Sequence, residues 1–580
     1  MTLRYTIKAN PAAGTYLVEL EVNARDELLL RMPAWLPGSY MIRDMAAEVQ
    51  SIEILCGSKK QSIQKIDKST WRAKLNEKLQ KVRIRYEVFA QDPSVRRAYL
   101  DDERGFITFS SLCLLPVGFE AAPVEVDIRK PKNKVNWKVA SSLQTLDIDS
   151  DGFGLYSATD YDELIDSPVE LGSWQSLKFK AYGVEHRIIL SGKVPPFDKT
   201  RLINDVKRCT ETVIAFFDPK THRAPFASYT FFLNLTESLY GGLEHRASTA
   251  LVASFYDLPI KGEQPSSDYG RLLELFTHEY FHAWWVKRVK PSVFIPYDLT
   301  QESYTGLLWV FEGFTSYYDA LLTARSGATD KNVYLKSLQN TLNRHLTSTA
   351  GKRQSLAESS FDAWIKYYKV RTNRSRAVTS YYDKGALVAL ALDACIRKKT
   401  AGKKSLDDVL RYAWQQFVNA QGDYAGLDEE VMSELILDAT GVDLTDELDR
   451  WVFGCEEPDY EKLLKTFGIS SKKVSLEATR KVLQAKLSGA DTLLVSQLDE
   501  GGSAEEGGLC VGDELVAIDG IRVRKANLEK LLKRYAGQSS VKIHVFRAGV
   551  LKECQLKFGS AQKSQTELKF SKSDKTRLWL

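Results

Sequence analysis

Two histidines one helical turn apart flank a glutamate in the run His278-Glu279-Tyr280-Phe281-His282. Positions i and i+4 share one helix face, so the two imidazoles can converge on one metal ion, with Glu279 beside them to take a proton from a metal-bound water. The chain has only seven histidines in 580 residues, yet two of them sit in one turn of an apolar segment. Imidazoles buried without a partner are costly there, and metal ligation accounts for both.

A catalytic site of two His and one Glu needs a third protein ligand and leaves the fourth position to water. Glu302 and Glu312 compete for that role, 20 and 30 residues beyond His282. Glu302 has the spacing of thermolysin-type enzymes but lies beside Gln301 and Ser303, where it can simply be solvated. Glu312, within Trp309-Val-Phe-Glu-Gly-Phe-Thr-Ser-Tyr-Tyr318, falls among apolar residues of a helix and is the preferred ligand.

These residues need a scaffold. The run Arg271 to Val286 lacks Gly and Pro inside it and is stopped by Lys287-Arg-Val-Lys-Pro291, so it is expected as the metal-binding helix. Further helices are expected over Tyr304 to Arg325, Tyr381 to Arg397 and Leu406 to Ala420. Trp284 and Trp285 are read as core. Before this α-rich middle, period-two alternation recurs: Val82, Ile84, Tyr86 and Val88 face one way, and Lys81, Arg83, Arg85 and Glu87 the other. With turn signals at Asn10-Pro11 and Pro37-Gly38, the first ~170 residues read as a mostly antiparallel β domain, a sandwich. After Tyr460 the texture returns to short strands and turns.

The expected architecture is multidomain α+β. An N-terminal β-sandwich-like domain spans 1–172, an α-rich catalytic domain 173–462 and a small domain 463–560, followed by a loose basic tail over 561–580.

Composition bounds the rest. Net charge is +5, from 80 Lys and Arg against 75 Asp and Glu, and the excess is confined to the end: residues 471–580 carry 20 basic and 13 acidic groups. Those lysines are interspersed with acids rather than clustered with stacking aromatics, so nucleic acid is not an expected partner. The longest uncharged stretch, Gly105 to Phe119, is 15 residues, short of the ~20 needed for a membrane span, and Met1 to Asn10 lacks the apolar core of a secretory signal. No membrane association and a cytoplasmic location are expected. Seven scattered cysteines without a CxxC pair suggest reduced thiols.

The run from His278 to Pro291, followed by Phe311-Glu-Gly-Phe-Thr-Ser-Tyr-Tyr318, resembles the glycyl aminopeptidase family, PDZ-containing gluzincin zinc metallopeptidases distantly related to aminopeptidase N. Three further stretches are similar to the same family: Pro33-Ala-Trp-Leu-Pro-Gly-Ser-Tyr40, Gly241-Gly-Leu-Glu-His245 and Ser380-Tyr-Tyr-Asp-Lys-Gly385. The resemblance implies a thermolysin-like catalytic domain and one Zn2+ per chain, held by His278, His282 and Glu312, with Glu279 as general base.

It also implies that the backbone of Gly241 and Gly242 pairs with an extended peptide while Glu244 grips the free amino group. His245 departs from the family pattern, which has Asn there. Tyr382 would stabilise the oxyanion, with Tyr381 as its rival. The substrates implied are peptides with a free N-terminus and a small first residue, Gly or Ala. A zinc endopeptidase and a catalytically idle PDZ adaptor are the alternatives. Gly502 to Gly520 resembles a PDZ domain, which would bind a chain end by strand addition, and Phe467-Gly-Ile469 is a candidate carboxylate-binding loop.

Overall fold

Alternation at period two becomes strand where one face can be buried. In the strand Gln80–Phe89, Val82, Ile84, Tyr86 and Val88 are buried and the intervening charges are not. This strand pairs antiparallel with Thr15–Ala24, Val22 opposite Val82 and Val18 opposite Tyr86. Both belong to an eight-stranded sheet, which two four-stranded sheets accompany, and the apolar faces share one core from Leu3 to Leu171.

The computed structural model describes residues 2–369, 373–475, 482–489, 492–535, 537–557, 564–571 and 579. The chain divides into two compact bodies. The first comprises Met1–Tyr304, Tyr318–Asp330 and Leu410–Glu429; the second comprises Thr305–Tyr317, Lys331–Val409 and Glu430–Leu580. Among the described residues no helix is long and apolar enough to cross a membrane.

Besides the N-terminal sheets, the first body holds a five-stranded mixed sheet that the helical periodicity of the middle region did not announce. Its order is Gln175–Ala181, Val184–Gly192, Ser228–Thr236, Ser248–Ser254 and Gly241–Glu244. The strand Ser228–Thr236 lies between two parallel neighbours and is a continuous buried run from Tyr229 to Leu235, so it shows no alternation to read. The short strand Gly241–Glu244 occupies the edge, antiparallel to Ser248–Ser254.

In the second body, helices Lys331–Thr347, Asp383–Lys399 and Val431–Thr440 precede a small six-stranded sheet with its own core from Val482 to Leu556 and the helices Ser503–Glu506 and Lys525–Tyr535. The loop 498–505 of this sheet is tied to the helical part. Asn373 accepts from the Leu498 amide at 3.1 Å, and Arg353 and Arg376 pair with Glu500 and Glu505.

Two expectations at the C-terminal end change. Ser564–Phe570, within the presumed loose tail 561–580, is a strand paired antiparallel with Ile469–Ser475. Its main chain is held by Asn343 and Gln339, and Leu568 is buried. Mostly polar residues hid a short strand in which Leu568 finds a covered face. Residues 561–563, 572–578 and 580 lie outside the described residues. Phe467-Gly-Ile469 is not part of the six-stranded sheet either. Gly468 turns the chain at φ 71° into that same two-stranded pair, which removes the motif as a carboxylate-binding loop of the small domain.

Candidate metal and peptide-binding site

The helix that carries the histidines runs over Ser267–Phe281, capped by the Ser266 hydroxyl accepting from the Tyr269 amide at 3.0 Å. It is shorter than the sequence suggested. Beyond His282 the chain tightens into a turn in which the Val286 amide donates to Val289 O, with Val286 at φ 90°. The i to i+4 relation survives, since the His282 amide still donates to His278 O at 3.2 Å.

Each imidazole is oriented by an acceptor at Nδ1. His278 Nδ1 donates to Asp319 Oδ2 at 2.9 Å and His282 Nδ1 to the carbonyl of Trp285 at 2.9 Å. That assigns the lone pairs to the two Nε2 atoms, which stand 3.1 Å apart. Two lone pairs at that separation repel, and a cation between them removes the conflict. Two nitrogens on one zinc at ~2.0–2.1 Å in tetrahedral geometry would be roughly 3.3 Å apart. The donor set therefore fits a zinc ion. Ligand atoms of His278, His282 and Glu312 lie within 4.8 Å of one another. Glu302, half-exposed in an irregular segment, is not in that group.

Glu312 sits in a single π-helical turn, Trp309–Gly313, that leads into the helix Phe314–Arg325. Such turns disturb the regular ladder and often mark functional positions. The next residue, Gly313, explains the Glu-Gly-Phe spelling. A Cβ there would stand 2.6 Å from the Cα of Gly385, so the two glycines let this turn and the helix Asp383–Lys399 touch backbone to backbone. Gly385 closes the Tyr-Asp-Lys-Gly run, and the contact couples the Glu312 segment to the Tyr382 segment.

Tyr382 is partly exposed, whereas Tyr381 is fully buried. The Tyr382 hydroxyl lies 2.8 Å from that of Tyr368. Burial, reinforced by the charge of Glu312, pushes the Tyr382 phenol well above its ordinary range, so it is neutral and able to donate. Trp284 and Trp285 are core, as expected, although the Trp285 carbonyl also orients His282.

The edge strand Gly241–Glu244 lies directly against the histidine helix. A Cβ on Gly242 would fall 2.1 Å from Glu279 Oε1, so only glycine lets the backbone come this close. Residues i and i+2 of a strand share a face, which turns Glu244 to the same side as Glu279. Glu244 is 4% exposed, and its Oε1 accepts no hydrogen bond among the described residues. A buried carboxylate with unused acceptor capacity suits a cation. Arg96 donates to the Gly242 carbonyl at 3.1 Å and holds the strand from its other side.

Sequence reasoning missed two partners of this site. Gly38, at φ 92°, packs on Glu244 so tightly that a Cβ would meet both carboxylate oxygens at 2.7 Å. The surrounding loop is anchored by the Trp35 indole, which donates to Asp298 O at 2.8 Å. The Pro33–Tyr40 run of the N-terminal domain thus forms a wall around Glu244. Asp319 was also missed, although it follows Glu312 by seven residues, two helical turns, and so shares its face. His245 points away from this strand: its Nδ1 is 3.4 Å from Asp166, within a buried cluster where Lys287 Nζ approaches Asp166 at 2.6 Å and Arg246 at 3.0 Å.

The chain resembles known proteins along its length. Residues 4–173 match the Peptidase M61 N-terminal domain, 271–388 match M61 glycyl aminopeptidase, and 494–545 match a PDZ domain. The crystal structure of an aminopeptidase N family protein from Idiomarina loihiensis superposes with a TM-score of 0.95 at 33% identity, covering 100% of both chains. An M1 zinc metallopeptidase from Deinococcus radiodurans is far more distant, with TM-score 0.46 and 15% identity over 79% of this chain and 94% of that one. A search of curated proteins found no match. Full-length similarity at this level, together with the family matches to its parts, shows that the chain is a peptide hydrolase belonging to the M61 glycyl aminopeptidase family.

Proposed function

We propose that the chain is a zinc aminopeptidase that removes a small N-terminal residue, Gly or Ala, from peptides. The observation that carries this reading is the contact of Gly242 with Glu279, with Glu244 two residues further along the same face. Two residues of strand span roughly 6.6 Å. That distance leaves room for one substrate residue between an ammonium group on Glu244 and a carbonyl opposite Glu279.

In this reading His278, His282 and Glu312 hold the zinc ion, one per chain. When bound, zinc supplies Lewis-acid polarisation of the water and of the scissile carbonyl. Glu279 takes the proton of the attacking water and delivers it to the departing amine. Tyr382, kept neutral, donates to the oxygen on which charge develops. Glu244 neutralises the substrate ammonium, and the main chain of Gly241 and Gly242 aligns the peptide as an added strand. The proposed domain limits are 1–172, 173–462 and 463–560. A chain-end ligand of the PDZ domain would add at an open sheet edge such as Ala485–Ser488.

Metal analysis of the purified protein alongside a panel of aminoacyl anilides tests this reading. One zinc per chain with fastest release from Gly and Ala anilides is the expected result. Efficient cleavage of internal bonds in blocked peptides would favour an endopeptidase instead.

A further inference from the structure

The body that carries the histidine helix also holds a cavity of about 1290 Å3 that the peptidase reading does not use. It lies beside the C-terminal end of the helix Lys199–Phe217, the turn 287–290 and the helix Leu406–Asn419. Its volume exceeds the ~300–1,000 Å3 usual for small-molecule sites.

Its wall is strongly basic. Asp166 offsets Lys287 and Arg246, but Arg288 and Lys290 have no carboxylate within ion-pair distance among the described residues. Arg288 donates only to the carbonyls of Arg246, Ala283 and Pro225, and Lys290 meets only the Tyr297 hydroxyl at 3.3 Å and its ring at 4.5 Å. The one acid on the lining, Asp218, is occupied by the amides of Thr221 and Arg223. Burial and the neighbouring Arg246 draw Arg288 down to about 10, and burial with Lys287 and Arg246 draws Lys290 to about 8, although Asp166, and for Lys290 also Asp162, act the other way from beyond ion-pair distance. Lys220 and Arg223 add exposed cations at the rim. On the same lining Trp414, Phe417 and Tyr424 form an aromatic row, with ring centroids 5.2 Å apart at each step.

We propose that this cavity binds a small organic anion with at least two negative charges and an aromatic ring, the nucleoside diphosphate class. Arg288 and Lys290 would meet the charged end, and the aromatic row would stack on the ring.

Calorimetric titration of the full-length, zinc-loaded protein with ADP, pyrophosphate and adenosine at low salt tests the proposal. ADP should bind at least ten-fold more tightly than either fragment, and Lys290→Met should weaken it about ten-fold. The double variant Lys220→Glu with Arg223→Glu, exposed and so tolerated by the fold, should weaken it further at low salt than at high salt. Three outcomes would overturn it: no ADP binding at millimolar concentration, pyrophosphate binding as tightly as ADP, or ADP affinity unchanged in both variants.

Discussion

Gly242 stands so close to Glu279 that a side-chain carbon on it would lie 2.1 Å from Oε1. The contact fixes how the edge strand meets the proposed base, and it makes the glycine a direct test of the site. Gly242→Ala should push the Glu279 carboxylate off its position and lower kcat/KM by on the order of 10²-fold, while zinc content is unchanged. Metal analysis beside steady-state kinetics checks both halves.

Glu279→Gln keeps size and polarity but removes the proton acceptor. Turnover should fall by roughly 10²-fold or more with zinc retained, whereas His282→Ala should lose zinc and activity together. Near-parental turnover of Glu279→Gln would end its assignment as base.

The downstream carboxylates separate by metal affinity. Glu312→Ala should empty the site under mild chelation and Glu302→Ala should not. Asp319→Ala, which removes the acceptor of His278 Nδ1, should weaken zinc about 10–100-fold. Competition with a chromogenic chelator reads all three variants.

The buried cluster around Asp166 gives a pH dependence. Burial alone would raise the Asp166 carboxyl, but Lys287, Arg246 and His245 outweigh it and hold the group well below the usual carboxylate range. A depressed folded pKa contributes stability that is present above the unfolded value, about 3.9, and is lost as pH falls below it. Asp166→Asn should therefore cost about 3–5 kcal/mol at neutral pH, because Lys287 stays buried without a counter-charge. In urea unfolding, the gap between parent and variant should hold from pH 8 to 5 and narrow below about pH 4. A gap that widens on acidification would contradict the account.

What could be read from the sequence follows from how local each signal is. The histidine pair, Glu279 and the π-turn glutamate stand in runs of a few residues whose chemistry is unusual for a buried helix. The β domain announced itself through two-residue alternation with one polar face, as in Gln80–Phe89. The mixed sheet did not, because Tyr229 to Leu235 is buried on both faces and carries no period. Gly38 and Asp319 touch the site through tertiary packing, over 206 and 41 residues of separation respectively from Glu244 and His278. The short strand Ser564–Phe570 was hidden because its five polar residues outnumber Leu568 and Phe570, of which only Leu568 is buried.

The measurement closest to the central claim compares a free Gly-initiated peptide with its N-acetylated form, for the parent and for Glu244→Ala. In a cleft of low effective dielectric the ammonium–carboxylate attraction is several-fold stronger than in bulk water, and misplacing the substrate by 1 Å can cost about 10²-fold. The parent should cleave the free peptide and reject the acetylated one. In Glu244→Ala, kcat/KM on the free peptide should fall by that order and the discrimination should shrink with it. A parent that accepts both peptides equally, or a variant that rejects the acetylated form as strongly as before, would contradict the assignment of Glu244 and the aminopeptidase reading built on it.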